Sequence, residues 1–206
     1  MDLHITDAAS LAKIDRQIDN DRFSPAEYEI VRQVIYRTAD FEYASLLHFH
    51  HDALAKGTAA LAARSSIIVD VPAIQVVIVP QLQKTFGNPV YCCSTAIARP
   101  QKYKTKAAWG LETLAKSHPQ GIYVIGQEQT ALATLAELTE RKIINPALAI
   151  VTAPIFVEED MKEWLQNSAI PSIYIKNAKG NAIVAATIVN SLITLAWYAY
   201  ELNPLA

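Results

Sequence analysis

Residues 122–132 read Ile122-Tyr123-Val124-Ile125-Gly126-Gln127-Glu128-Gln129-Thr130-Ala131-Leu132. Four apolar, β-favouring residues with no polar alternation describe a strand covered on both faces, and such burial belongs to parallel sheets. Gly126 ends the run and a polar turn opens a helix predicted over 129–141, so the segment is a strand feeding a crossover helix. Four similar runs flank it: Ile67-Ile68-Val69-Asp70, Val90 to Ser94, Leu148 to Thr152 and Ser172 to Ile175. Helical patterns near 71–84, 105–116, 129–141, 158–167 and 181–201 lie between and after them. Alternation of this kind builds βαβ units. We therefore expect an α/β fold: a single doubly wound domain over residues 1–206, with a mainly parallel five-stranded sheet flanked by helices.

The first third is helical in pattern. Ser24-Pro25-Ala26-Glu27 combines a capping serine, a proline suited to the first helical position and the glutamate of a capping box. Ile30, Val31, Val34 and Ile35 follow at helical spacing and form an apolar stripe. A second helix is predicted over 52–63, so the sheet is preceded by an N-terminal helical segment.

Composition narrows the function classes. Of 206 residues, 51% are apolar and 18% charged, which excludes a disordered chain. Eighteen basic against twenty acidic residues leave a formal charge of −2, with no electrostatic footprint for nucleic acid and no polybasic membrane patch. Cys92 and Cys93 are adjacent and cannot form an ordinary disulfide within a strand, which fits a reducing compartment. The opening Met1-Asp2-Leu3-His4 has neither the cationic start nor the apolar stretch of a secretory signal, so a cytoplasmic location is expected. From Asn181 to Tyr200 no residue is charged, a length that could cross a bilayer. Thr187, Asn190, Ser191 and Thr194 interrupt it, and a buried helix is the expectation rather than a membrane span.

Several chemistries lack their motifs. Neither GxGxxG nor GxxxxGK[ST] occurs, and there is no GxSxG elbow or CxxC pair. His48-Phe49-His50-His51 carries metal-ligand residue types, yet on a helix His48 and His51 share a face while His50 leaves it. The cluster reads as a polar helix end or loop first, a substrate or interface contact second, and a metal site last. No metal and no cofactor are expected.

Ligands of parallel sheets sit beyond the carboxyl ends of the strands, where helix N-termini present free N–H groups. Three junctions qualify by position: Gly126 to Thr130, Lys179-Gly180-Asn181, and Thr105-Lys106-Ala107-Ala108. Each is equally readable as an ordinary capped turn. Lys106 in a first helical turn is disfavoured by the dipole unless an anion lies there. Together the three suggest a ligand carrying several carboxylates.

Arg22-Phe23-Ser24 and the run Val31-Arg32-Gln33-Val34-Ile35-Tyr36-Arg37-Thr38-Ala39-Asp40 look like the capped helix and the Val-Arg-x-x-Ile-His-x-Thr-x-Asp segment of one enzyme family. Ile68-Val69-Asp70 matches that family's strand ending in Asp, and Thr105-Lys106-Ala107-Ala108 its Thr-Arg-Ser-Ala motif. Gly126 to Leu132 falls on Gly-Asn-Ala-Pro-Thr-Ala-Leu, and Lys179-Gly180-Asn181 on a Gly-Gly-Ser turn before an Ala-rich helix. From about Arg22 to Leu192 the chain thus resembles the precorrin-8X methylmutases, also called cobalt-precorrin-8 methylmutases, of cobalamin biosynthesis.

The resemblance implies a homodimer that moves one methyl group from C11 to C12 of a tetrapyrrole ring without a cofactor. It implies Tyr36 at the position of the family's acid histidine, and Arg32, Thr38, Thr105, Lys106, Thr130, Lys179 and Gly180 as substrate-binding positions. A phenol is a weaker acid than imidazolium by about 3.5 pKa units, which with a Brønsted coefficient of about one half slows proton transfer about 10²-fold. Lys106 keeps the charge of the family's arginine and loses its bidentate fork. The other reading is therefore a non-catalytic tetrapyrrole-binding or carrier relative.

Overall fold

Ser24 Oγ accepts from the Glu27 N–H at 3.3 Å while the Glu27 carboxylate accepts from the Ser24 N–H at 2.8 Å, closing the capping box of helix α2, Pro25–Thr38. The computed structural model describes residues 5–18, 22–97, 99, 101–155 and 160–202. Helix α1, Ile5–Asp15, precedes α2 and packs along it. After the short helix α3, Tyr43–Leu46, the strands and helices alternate as β1 Leu47–His50, α4 Ala53–Ala62, β2 Ile67–Val69, α5 Pro72–Gln83 and β3 Val90–Cys92. A 3-10 turn at Cys93–Thr95 follows, then α6 Lys106–Ser117, β4 Ile122–Ile125, α7 Gln129–Glu140, β5 Leu148–Val151, α8 Asp160–Asn167, β6 Ser172–Ile175 and α9 Ala182–Leu202. The start of the helix expected from residue 158 lies outside the described residues.

The sheet has six strands rather than five, in the order β1-β6-β5-β4-β2-β3. Five run parallel, as expected. The sixth, β1, pairs antiparallel with β6, with Leu47 opposite Ile175 and His50 opposite Ser172. This corrects the reading of the histidine cluster as a helix end or loop. Leu-His-Phe-His alternates with period two, but its polar members are only half-buried at a sheet edge, so no apolar run announces it. His48 stacks on Tyr174 at 5.4 Å, and left-handed His51 and Asp52 (φ 50° and 52°) turn the chain into α4. Burial keeps both His48 and His50 below the ordinary histidine pKa. Among the described residues no group of three metal-ligating side chains forms.

Period two also divides the core. Ile67, Val69, Ile122, Val124, Leu148 and Ile150 face one side, covered by α2, α4, α5 and α9. Ile68, Tyr123, Ile125, Ala149 and Val151 face the other, covered by α6, α7 and α8. Helix α9 is the centre of the first layer, in contact with α2, α4 and α5. Its uncharged length is that of a helix covered on three sides, as the interrupting polar residues indicated.

The turn into α9 depends on close backbone contact. A Cβ on Gly180 would lie 2.0 Å from the Thr152 carbonyl oxygen at the end of β5, and Thr152 Oγ1 donates to the Asn181 carbonyl at 2.8 Å. Neither backbone can retreat without breaking the β5–α9 junction. Gly180→Ala is therefore expected to destabilise the protein by about 2 kcal/mol or more, measured by urea unfolding. An unchanged midpoint would show that the turn yields.

Candidate functional site

Asp70 directly follows strand β2, and its carboxylate is fully buried. One oxygen, Oδ2, accepts from the Gln127 N–H at 2.7 Å and the Glu128 N–H at 2.8 Å. The two N–H groups at the head of α7, expected to be available to a ligand oxygen, are thus taken by the protein's own carboxylate. Cys93 lies on the α6 and α7 side of the sheet beside it, and burial first, then the Asp70 charge, push its thiol well above the ordinary value. A thiolate nucleophile is excluded there.

The remaining sequence-identified residues fall in three places. Thr105 caps α6 by accepting from the Ala108 N–H at 3.3 Å, and its hydroxyl meets that of Thr130 at 2.6 Å. Lys106 is exposed beside them. Lys179 Nζ reaches Asp40 at 2.6 Å and Glu42 at 2.5 Å, bonds that raise its pKa to about 12 and hold the Asp40 carboxyl below the usual range. Thr38 closes the end of α2, donating to the Val34 carbonyl at 2.8 Å and accepting from the Asp40 N–H at 3.3 Å. Gly180 is buried in the turn described above.

Tyr36 and Arg32 form the third place, on the wall of a cavity of about 1000 Å³ between α1, α2, α5 and α9. The sequence placed the hollow at the strand ends; this one lies within the helix layer. Its floor is the stripe Ile183, Thr187, Asn190, Thr194 and Tyr198 of α9, with Val77 and Gln81 of α5 on one side. Gln81 Nε2 donates to Thr194 Oγ1 at 2.6 Å and to the Asn190 carbonyl at 3.1 Å. Asn190 Oδ1 and Arg32 Nε are buried without a hydrogen-bond partner among the described residues, so two cavity-lining side chains retain unspent polar capacity.

The charges on the wall are unequal in availability. The Arg32 guanidinium is engaged by Glu29 and, at 3.3 Å, by Asp15. Arg37 is exposed, lines the cavity, and holds its guanidinium 5.8 Å from the centre of the Tyr36 ring. No carboxylate of the described residues pairs with it. Arg37 was overlooked because it sits beside the recognised position in a motif read one residue at a time.

Asp7 was also missed; its only signal was an acidic residue in a first helical turn. The Tyr36 hydroxyl donates to Asp7 Oδ1 at 2.7 Å. That bond raises the phenol pKa most, with burial and the Asp7 charge adding to it and Arg37 opposing. A parallel bond joins Tyr28 to Asp15 at 2.7 Å, where burial leads in raising the phenol to about 12. Tyr28 and Asp15 are not part of the cavity wall. The geometry therefore offers a large hollow, a phenol whose proton is held by a carboxylate, and one uncommitted cation.

Comparison with known proteins gives one answer throughout. The precorrin-8X methylmutase family profile matches residues 6–195. A cobalt-precorrin-8 methylmutase of Synechocystis sp. is 34% identical over 203 residues, covering 91% of this chain and 94% of the relative. One from Methanocaldococcus jannaschii is 33% identical over 185 residues, covering 85% and 83% respectively. Among solved structures, the precorrin-8x methyl mutase from Thermus Thermophilus superposes with a TM-score of 0.84 at 29% identity, covering 94% of this chain and 96% of that one. With a match over nearly the whole length in family, sequence and structure, the chain belongs to the precorrin-8X methylmutase family.

Proposed function

We propose that this protein is a methylmutase that binds precorrin-8X or cobalt-precorrin-8 in the cavity beside Tyr36 and shifts its methyl group from C11 to C12. The observation that carries the reading is the position of Tyr36 on the wall of an approximately 1000 Å³ hollow. That volume is at the upper end of small-molecule sites, about 300–1000 Å³, as a macrocycle needs. The bond from C11 to the methyl carbon breaks as the bond to C12 forms, so no atom is gained or lost and no cofactor is required. Binding and distortion of one molecule then lower the barrier, with Tyr36 contributing a hydrogen bond rather than a free acid.

Carboxylates at the ring periphery are met by Arg37, with Arg32, itself paired to Glu29 and Asp15, on the wall beside it. Thr105, Lys106, Thr130, Thr38, Lys179 and Gly180, none of them on the cavity wall, are substrate-binding positions only in the sense that the family motif implies. Residues 1–206 act as one domain. A second copy covers the apolar face of α5 and α9, where Val76 is 72% and Ile183 52% exposed. Two free, buried cysteines support a cytoplasmic location.

Turnover separates this reading from that of a non-catalytic carrier. Purified protein mixed with precorrin-8X or its cobalt form is expected to give the spectral change to the corrinoid product. Tyr36→Phe is expected to slow it about tenfold or more. Tight binding without conversion at stoichiometric protein would transfer the case to the carrier.

Arg37→Ala is expected to weaken binding of the corrinoid product about tenfold, and more at low salt, as loss of a charge-assisted contact does. Unchanged affinity in a spectroscopic titration would remove Arg37 from the site.

A further inference from the structure

A phenol carries one proton. In this structure that proton points to Asp7, so the Tyr36 oxygen presents only lone pairs to the cavity while Asp7 is ionised. The group at the position expected to supply a proton is therefore set as an acceptor. Protonating Asp7 reverses the bond: the carboxylic acid donates to the phenol oxygen, and the phenol O–H is released toward the hollow.

We propose that Asp7 is a positioning residue and the proton reserve behind Tyr36, so that the pair, rather than the phenol alone, delivers a proton to the macrocycle. The inference rests on the methylmutase reading for its ligand, and on the Asp7–Tyr36 geometry for its substance. In the step, the Asp7 O–H bond breaks as an O–H bond forms on Tyr36, and the original Tyr36 O–H bond breaks as the ring gains the proton. Asp7 ends as a carboxylate and Tyr36 ends neutral; after the methyl shift the reverse transfer returns a proton from the ring through Tyr36 to Asp7, so the isomerisation neither gains nor loses an atom. No tyrosinate is formed, which matters because a phenol alone ionises near 10 and a carboxylic acid near 3.9. The proton that leaves Tyr36 is replaced by the one from the carboxyl behind it.

The bond could instead be a plain staple between α1 and α2, and the molecule contains one for comparison. Tyr28 donates to Asp15 on the same two helices, but neither lines the cavity. Only the Asp7–Tyr36 pair opens onto space for a ligand. The charged and titratable groups facing Asp7 across that space are Glu29, Arg32, Tyr36 and Arg37 of α2 and Tyr198 of α9; the α5 wall, Val77 and Gln81, has none. Arg32 is already paired with Glu29 and Asp15, so Arg37 is the cation of that wall left for a ligand carboxylate.

Two measurements test this. In turnover assays with precorrin-8X, wild-type kcat is expected to rise as pH falls from about 7.5 to about 5.5. Asp7→Asn keeps an oxygen to accept from Tyr36 but has no proton to give. It should lower kcat about tenfold or more at the acid end and flatten the profile. Its melting temperature should stay within about 2 °C of wild type. Asp7→Glu should restore the slope, and Tyr28→Phe should leave it unchanged. An Asp7→Asn enzyme with wild-type kcat and slope overturns the proposal.

The second measurement uses no corrinoid, so it stands whatever becomes of the methylmutase reading. With 13C at tyrosine Cζ and the Tyr36 signal assigned by its loss in Tyr36→Phe, that signal should move as the solution is taken from about pH 7 to about pH 3, across the ordinary carboxylate range. It should be still in Asp7→Asn. A Tyr36 signal that ignores this range in the wild type overturns the coupling.

Discussion

A helix without a charge from Ala182 to Tyr200 has to be covered, and much of this architecture follows from how α9 is covered. Strand faces β4 and β5 lie under it, and α2, α4 and α5 flank it. These contacts bury Val184, Ala185, Ile188, Val189 and Leu192 almost completely. The stripe Ile183, Thr187, Asn190, Thr194 and Tyr198 recurs at three- and four-residue intervals and is left between α2 and α5. Small and polar residues occupy much of that stripe, so the two flanking helices do not close over it. The cavity is the space they leave, and α1 supplies its remaining wall.

Charge within the fold is matched largely by the protein itself. Asp70 fills the N–H pair at the head of α7, Asp40 and Glu42 hold Lys179, Glu112 holds Lys104, and Glu29 with Asp15 holds Arg32. Buried or half-buried ions require such partners, because an unpaired one costs more than its pairing returns. A ligand carboxylate competing for Lys179 would have to displace two carboxylates already in place. At Arg37 it would displace water and keep the guanidinium over the Tyr36 ring. Availability, rather than the mere presence of a cation near a helix start, is what distinguishes a recognition residue here.

Availability is also what the sequence could not express. The capping box at Ser24, the five apolar strands and the helices between them were legible because each is a local pattern: a cap, a period or an apolar run. Boundaries at α5 and α7 agree with expectation within a residue or so. Strand β1 was not legible, because its partner β6 lies more than a hundred residues away and its histidines disguise the alternation. Tyr36 and Arg32 were found through the likeness of a motif. Asp7 was not, since nothing local in α1 reveals a partner twenty-nine positions along the chain. Pairings made between distant residues decide which members of a motif are free, and no periodicity records them.

The exchange of imidazole for phenol at position 36 has a consequence that acidity alone understates. An imidazolium has two N–H groups, so it can be anchored through one and give its proton through the other. A phenol has a single O–H, and whatever orients it by accepting that bond also withholds the proton. An apolar neighbour would leave the hydroxyl free but unaimed, and a fixed acceptor such as a backbone carbonyl would aim it permanently away. A carboxyl is different because it changes from acceptor to donor when it takes a proton, and can therefore both hold the ring oxygen and later release it. Asp7, set against Tyr36 at 2.7 Å on a wall open to ligand, is the kind of partner that a tyrosine in this position requires.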